Sequence, residues 1–156
     1  AQLIIEAAGA QGFDGALLGS DTWDNNMVLE SAQGKDVQVD ITTFYQESGS
    51  EFDTGIKEWI NANEDAKTNN GGNDMVSAVT AMGYDAYFTA LEALKAAGST
   101  DAKAVNEALW ATTFDGVSGA IAFDAVNGDA VRDTAYIKTI DTATGAWQFV
   151  AVQGIN

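Results

Sequence analysis

Residues 15–44 read GALLGSDTWDNNMVLESAQGKDVQVDITTF, and this stretch decides the fold. Residues 15–19 are a short apolar run between glycines and read as a buried strand. From Asn25 to Gln33 the spacing is that of a short helix, with Asp24 or Asn25 able to cap it and Gly34 to end it. Val37 to Phe44 alternates and is rich in β-branched residues, so it reads as a second strand. Strand, helix and strand in close succession predict an α/β sheet.

Outward from this unit the pattern extends in both directions. Leu3, Ile4, Ala7 and Ala8 predict a helix over 2–11, with Gly12 as its stop and no cap at its start. That bare start is the mark expected of a chain cut within a larger fold. Ser48 or Ser50 caps a helix expected over 50–63, with Phe52, Ile56, Trp59 and Ile60 as its apolar stripe. Residues 64–74 have loop composition. Residues 75–97 form the longest expected helix, apolar on most sides and therefore expected to be buried, with Gly98 ending it. Ser99, Thr100 and Asp101 precede another helix, about 101–112. Strands are expected over 117–123, 134–141 and 147–152, with turns at Asn127-Gly128 and Thr144-Gly145.

Composition narrows the function. The chain has 156 residues, 46% of them hydrophobic, enough for an ordinary core. Seven Lys and Arg face 23 Asp and Glu, a net charge of -16 that repels phosphate backbones and anionic membranes, so nucleic acid is not an expected partner. No apolar run approaches the ~20 residues that span a bilayer, and the opening Ala1-Gln2-Leu3 is not a signal peptide. There is no Cys and no His. Triads built on His or Cys are therefore excluded, and no metal or cofactor is expected. Acidic pairs such as Asp21/Asp24 and Glu47/Glu51 have the residue types of a glycosidase dyad, but solvated loop carboxylates are their ordinary explanation. The run Asp124 to Asp129 lacks the ligand spacing and final Glu of a calcium loop and reads as a turn. An enzyme is not the expected class.

Three stretches carry a resemblance. They are Leu17-Leu18-Gly19-Ser20-Asp21-Thr22-Trp23-Asp24; Ala81-Met82-Gly83-Tyr84-Asp85-Ala86-Tyr87 with 93–100; and Phe114 to Asp124 with Asn127 to Ala130. Together, in order and spacing, they resemble the branched-chain amino acid binding proteins of ABC importers. The resemblance implies a type I periplasmic-binding-protein fold, with two Rossmann-like αβα lobes, three crossing strands and a ligand in the cleft. It places 1–40 and 117–156 in the second lobe and 41–116 in the first, so that the chain contributes to both. The N-terminal half of the family fold is expected to be absent. A second polypeptide, an intertwined oligomer or a rearranged fold would then cover the faces left open.

The resemblance also implies a site. A free amino acid presents an ammonium, a carboxylate and a side chain, and its cleft needs an acceptor, several donors and an apolar wall. Asp21, just after a strand at the edge where α/β sheets place ligands, matches the family's ammonium partner; a capping or loop Asp is the plain alternative. Trp23 is either a wall of the side-chain pocket or a Trp packed under its own loop. Ser20 and Thr22 are weaker loop donors. Val79 and Tyr84 are ligand-side candidates that core packing would also explain, and Val79 stands where the family often has an aromatic. Tyr45 reads as a surface aromatic in preference to a hinge. The implied function is the substrate-binding component of an ABC importer, periplasmic or a cell-surface lipoprotein, that hands a small amino acid to a membrane permease. A ligand-sensing receptor domain and a truncated non-binding module are the alternatives. Alone, the chain is expected to bind amino acids weakly or not at all.

Overall fold

The computed structural model describes residues 1–154. Its order is α1 (Gln2–Gln11), β1 (Ala16–Gly19), a 3-10 turn (Asp21–Trp23), α2 (Asn26–Ala32), β2 (Gln38–Thr43), α3 (Glu51–Ala62), α4 (Glu64–Asn69), α5 (Ala78–Ala97), α6 (Ala102–Trp110), β3 (Phe114–Gly116), β4 (Gly119–Ile121), β5 (Thr134–Asp141) and β6 (Ala146–Gly154). Two compact units emerge. One comprises Ala1–Val79 with the chain from Thr134 onward, the other Thr80–Asp133.

The first unit is built on a four-stranded sheet in the order β1-β2-β5-β6. β1 pairs parallel with β2, as the opening strand-helix-strand pattern requires, while β5 and β6 add antiparallel. The core gathers Ile5 of α1, Val28, Leu29 and Ala32 of α2, Val37, Val39 of β2 and Ile140 of β5. Trp23 and Trp147 pack against it. Full burial of Val39, at 0% exposure, contributes about 2 kcal/mol on an area basis. Asn25 caps α2 by accepting from the Val28 amide at 3.1 Å. Ser50 and Asp53 close a capping box at the start of α3.

The second unit packs the inward stripe of α5 close to α6 and the β3-β4 hairpin. That stripe is Ala81, Asp85, Thr89 and Ala93, all buried and four residues apart. Asp101 caps α6 through the Ala104 amide at 3.0 Å.

Four expectations need correction. Residues 64–69 are helical, although their composition is that of a loop. α5 begins at Ala78, three residues late, and it is not apolar-buried on most sides: Val79 is 61% and Tyr87 66% exposed among the described residues. The expected strand 117–123 is replaced by a hairpin, because Gly119 at φ 107 lets the chain reverse after Gly116. Trp59, expected in the α3 stripe, is 60% exposed, and Ile60 is the buried member.

Candidate functional site

Parallel pairing brings the carboxyl ends of β1 and β2 to one edge of the sheet. The chain leaves β1 at Gly19 and turns at once. A Cβ at Gly19 would lie 2.4 Å from Trp23 Cδ2, so only glycine lets the indole ring lie this close to the backbone. Trp23 donates its amide to the Ser20 carbonyl at 2.9 Å, and Asp24 donates to the Asp21 carbonyl at 3.0 Å. Asn25 Nδ2 reaches back to the Thr22 carbonyl at 2.9 Å, and the Ser20 and Thr22 hydroxyls share a hydrogen bond of 3.0 Å. The turn is thus tied within itself.

Asp21 is half-buried, and its carboxylate makes no hydrogen bond or ion pair with the described residues. Such a carboxylate can accept from a cationic group without first giving up a partner. Trp23 is also half-buried, one part on Gly19 and the core, the rest exposed. Ser20 and Thr22 are exposed. Val79 is exposed at the start of α5, one residue after Ala78, whose amide points at Asp24 Oδ2 at 3.4 Å. Tyr84 belongs to the second unit, 41% exposed and against Phe88 with ring centroids 4.7 Å apart.

The sequence offers Asp24 as one of two cap candidates and as half of an acidic pair with Asp21, and does not reveal its buried lysine partner. Asp24 is 1% exposed. Its Oδ2 accepts from Thr43 Oγ1 at 2.9 Å and from Lys138 Nζ at 3.0 Å, and Lys138 is itself 4% exposed. Its Oδ1 has no partner among the described residues. Asn25 is the cap. A signal for the pair did exist: Tyr136, Lys138 and Ile140 share one face of β5, and Ile140 is core. A lysine in an inward register requires a buried acid. Beside the pair opens a polar cleft of about 360 Å3, lined among others by Lys138, Glu47, Lys57, Asp74 and Trp147. Glu47 holds Lys57 at 2.5 Å and keeps its ammonium above the usual lysine range.

A second group lies beyond β2. Tyr45, expected at the surface, is 5% exposed and donates its hydroxyl to Asp53 Oδ1. Burial pushes the Tyr45 hydroxyl well up, and the bond to Asp53 adds to it. For Asp53 burial acts in the same upward sense. The bonds from Tyr45, Ser48 and Ser50 outweigh it and hold the carboxyl below its ordinary value.

In the second unit Asp85 is buried at 3% exposure and grips the hairpin. It accepts from the Val117 amide at 2.8 Å, the Ser118 amide at 2.8 Å and Ser118 Oγ at 2.6 Å. A Cβ at Gly116 would stand 2.6 Å from that carboxylate, so glycine is required there. Arg132 completes the network, donating to the Ser118 carbonyl at 2.7 Å.

Among the described residues no group of three or more His, Cys, Asp or Glu is placed to hold a metal. None of the described helices is long and apolar enough to cross a membrane.

A half-buried loop carboxylate, Asp21, thus stands at the carboxyl end of β1. A periplasmic binding protein family profile matches residues 1–145. The chain belongs to that family. This is an extracytoplasmic, non-enzymatic class of solute-binding proteins. Among solved structures, the leucine binding protein LivK of Thermotoga maritima is 30% identical, with a TM-score of 0.73 over 98% of this chain and 41% of that one. A solute binding protein of an ABC transporter from R. palustris, in complex with benzoate, is 17% identical, with a TM-score of 0.71 over 98% and 40%. An ABC transporter substrate-binding protein from Desulfitobacterium hafniense, in complex with Leu, is 19% identical, with a TM-score of 0.59 over 95% and 39%. The latter two are alike in fold. No curated protein matches. This periplasmic binding protein chain therefore has the mixed α/β fold of its relatives and spans 41% of the length of the leucine binding protein.

Proposed function

We propose that the chain supplies one side of the ligand cleft of an ABC-importer binding protein for a small amino acid of the branched-chain type. The observation that carries this reading is the unpartnered Asp21 carboxylate at the carboxyl end of β1, at a half-exposed loop beside Trp23. In this reading Asp21 accepts the ligand ammonium and Trp23 covers its side chain, with Ser20 and Thr22 as flanking polar groups. Val79 and Tyr84 enter from the resemblance alone. The likeness to a leucine binding protein at 30% identity supports the ligand class.

In the same reading 1–40 and 117–156 serve the second lobe, 41–116 the first, and β2 crosses between them. A second polypeptide or an intertwined copy provides the remaining wall and the donors for the ligand carboxylate. The ligand stabilises the closed form because it touches both lobes, and a membrane permease reads that form from the periplasm or, for a lipoprotein, from the cell surface. The charge of -16 argues against nucleic acid as a partner.

Calorimetric titration of the intact protein with leucine, isoleucine, valine and benzoate tests the reading. One of the amino acids should bind, and Asp21→Asn should weaken it about 100-fold, the worth of a charge-assisted bond. Benzoate carries no ammonium. Benzoate binding that is indifferent to Asp21→Asn, with no amino acid binding, would overturn the proposal.

A further inference from the structure

The Asp24–Lys138 pair is a buried ion pair, and burying charge is costly. Two charges, 1% and 4% exposed, have left water, and one carboxylate oxygen is left without a partner. Replacing such a pair with apolar residues of like volume is often neutral or stabilising. Its place in the fold offers a reason for it. Asp24 is the residue that closes the 3-10 turn, by its amide to the Asp21 carbonyl at 3.0 Å. Its side chain meanwhile reaches three other elements at one atom: Thr43 at the end of β2, Lys138 on β5 and the Ala78 amide at the head of α5. Asn25, next in the chain, caps α2 and also holds the Thr22 carbonyl.

The arc Ser20–Trp23 is therefore suspended between two fixed points. One is Gly19, locked in β1 and covered by the indole. The other is Asp24. Within the arc, Asp21 has no side-chain partner of its own, so its direction is set by the backbone alone. A ligand group held by a single carboxylate loses affinity if that carboxylate wanders by even about 0.5 Å.

We infer that Asp24 and Lys138 act as positioning residues, fixing the Ser20–Trp23 loop so that the Asp21 carboxylate is aimed before any ligand arrives. The inference deepens the function proposed above and rests on it for the ligand's identity. The pinning of the loop stands independently of that identity.

Amide hydrogen exchange on the intact protein separates the two. The neutral, near-isosteric Asp24→Asn/Lys138→Met variant should exchange the Trp23 and Asp24 amides at least tenfold faster than wild type. The amides of Val39 and Ile41 should stay within twofold. Lys138→Arg, which keeps the charge, should restore slow loop exchange. In parallel, the affinity for the best amino acid should fall about tenfold in the neutral variant and recover in the arginine variant. Uniform acceleration of all amides would mean a merely structural pair and would overturn the inference, as would unchanged loop exchange. Should the neutral variant fail to fold, Thr43→Val, which removes one donor to the same oxygen, must show the same selective loss of loop protection or the inference falls. If the assembled wild-type protein, with the polypeptide or copy that completes the cleft, binds no amino acid while loop exchange responds as described, the proposed function fails and the pinning survives.

Discussion

Asp24 in the first unit and Asp85 in the second are both buried carboxylates, and they are satisfied in opposite ways. Asp85 uses both oxygens, on two backbone amides and a hydroxyl, all within two consecutive residues of one hairpin. Asp24 loads one oxygen with donors from three distant elements, one of them a lysine 114 positions away, and leaves the other empty. The first arrangement is confined to one hairpin, charge-assisted and complete, as expected of a fold clamp. The second is spread over three elements and incomplete, and it sits beside the loop that carries Asp21. Full satisfaction serves the fold, whereas an uneconomical pair next to a candidate site points to placement of that site.

Removing one partner breaks this comparison most sharply. Asp24→Ala strands a buried ammonium and should lower unfolding free energy by about 3–5 kcal/mol in denaturant titration. Joining Asp24→Leu to Lys138→Met should recover most of that loss, because no charge then remains to be desolvated. A double variant as unstable as the single would show that Thr43 and Ala78, not the charge, define the site.

Asp85 should behave differently. Asp85→Ala leaves the Val117 and Ser118 amides without their acceptor, an expected loss of about 3 kcal/mol. Only proline removes a backbone N–H, and it also fixes φ within the hairpin, so no simple second substitution should rescue it. Gly116→Ala should cost about 2 kcal/mol by driving a methyl onto the same carboxylate, 2.6 Å away. If Gly116→Ala melts like wild type, the hairpin does not press on Asp85 as described.

Much of this architecture was legible in the sequence, and the exceptions have physical causes. The opening strand-helix-strand unit and the β5-β6 hairpin follow from local rules and stand within a residue or two of expectation, and the structure selects Asn25 over Asp24, Ser50 over Ser48, and Asp101 from Ser99-Thr100-Asp101 as the caps. α4 is hidden in the sequence because five polar residues and one alanine show no stripe; its turn is sustained by contacts such as Lys67 with Asn61 at 2.9 Å. The β3-β4 reversal was missed because Gly119 reads as small filler until its positive φ is seen. The exposed Val79 and Tyr87 were over-read as core because apolar character does not say which side of a helix finds a neighbour. The candidate loop was legible as Ser20 to Trp23. The pairing of Asp24 with Lys138 was not, because no local rule links residues so far apart, although the inward lysine on β5 hinted at it.

The Tyr45–Asp53 contact sharpens the comparison from a third side, since both of its groups titrate. Asp53 is held below its ordinary value in the fold. Its stabilising contribution is complete above the unfolded aspartate value of about 3.9 and disappears as pH falls through the lower folded value. Tyr45 is held above its ordinary value. Its contribution is complete below about 10 and is lost as pH rises toward the folded value. Melting temperature should therefore fall at both extremes. Asp53→Asn should flatten the acid limb and Tyr45→Phe the alkaline limb. Equal limbs in all three proteins would dissociate this contact from stability.

Helix caps give the smallest effect and the finest comparison of the two units. Asn25 caps α2 in the first unit through Val28, at 3.1 Å, and Asp101 caps α6 in the second through Ala104, at 3.0 Å. Each substitution by alanine should cost about 1 kcal/mol. The consequences should nevertheless differ. Among the described residues Asp101 reaches only its own helix and the Ser99 hydroxyl before it, so its loss should speed exchange at the first-turn amides of α6 alone. Asn25 also holds the Thr22 carbonyl, so its loss should speed exchange at α2 and at Trp23 together. A cap that loosens the Ser20–Trp23 loop as well as its helix would add α2 to the groups proposed to position Asp21. A cap whose effect stays within α2 would leave that task to Asp24 and Lys138 alone.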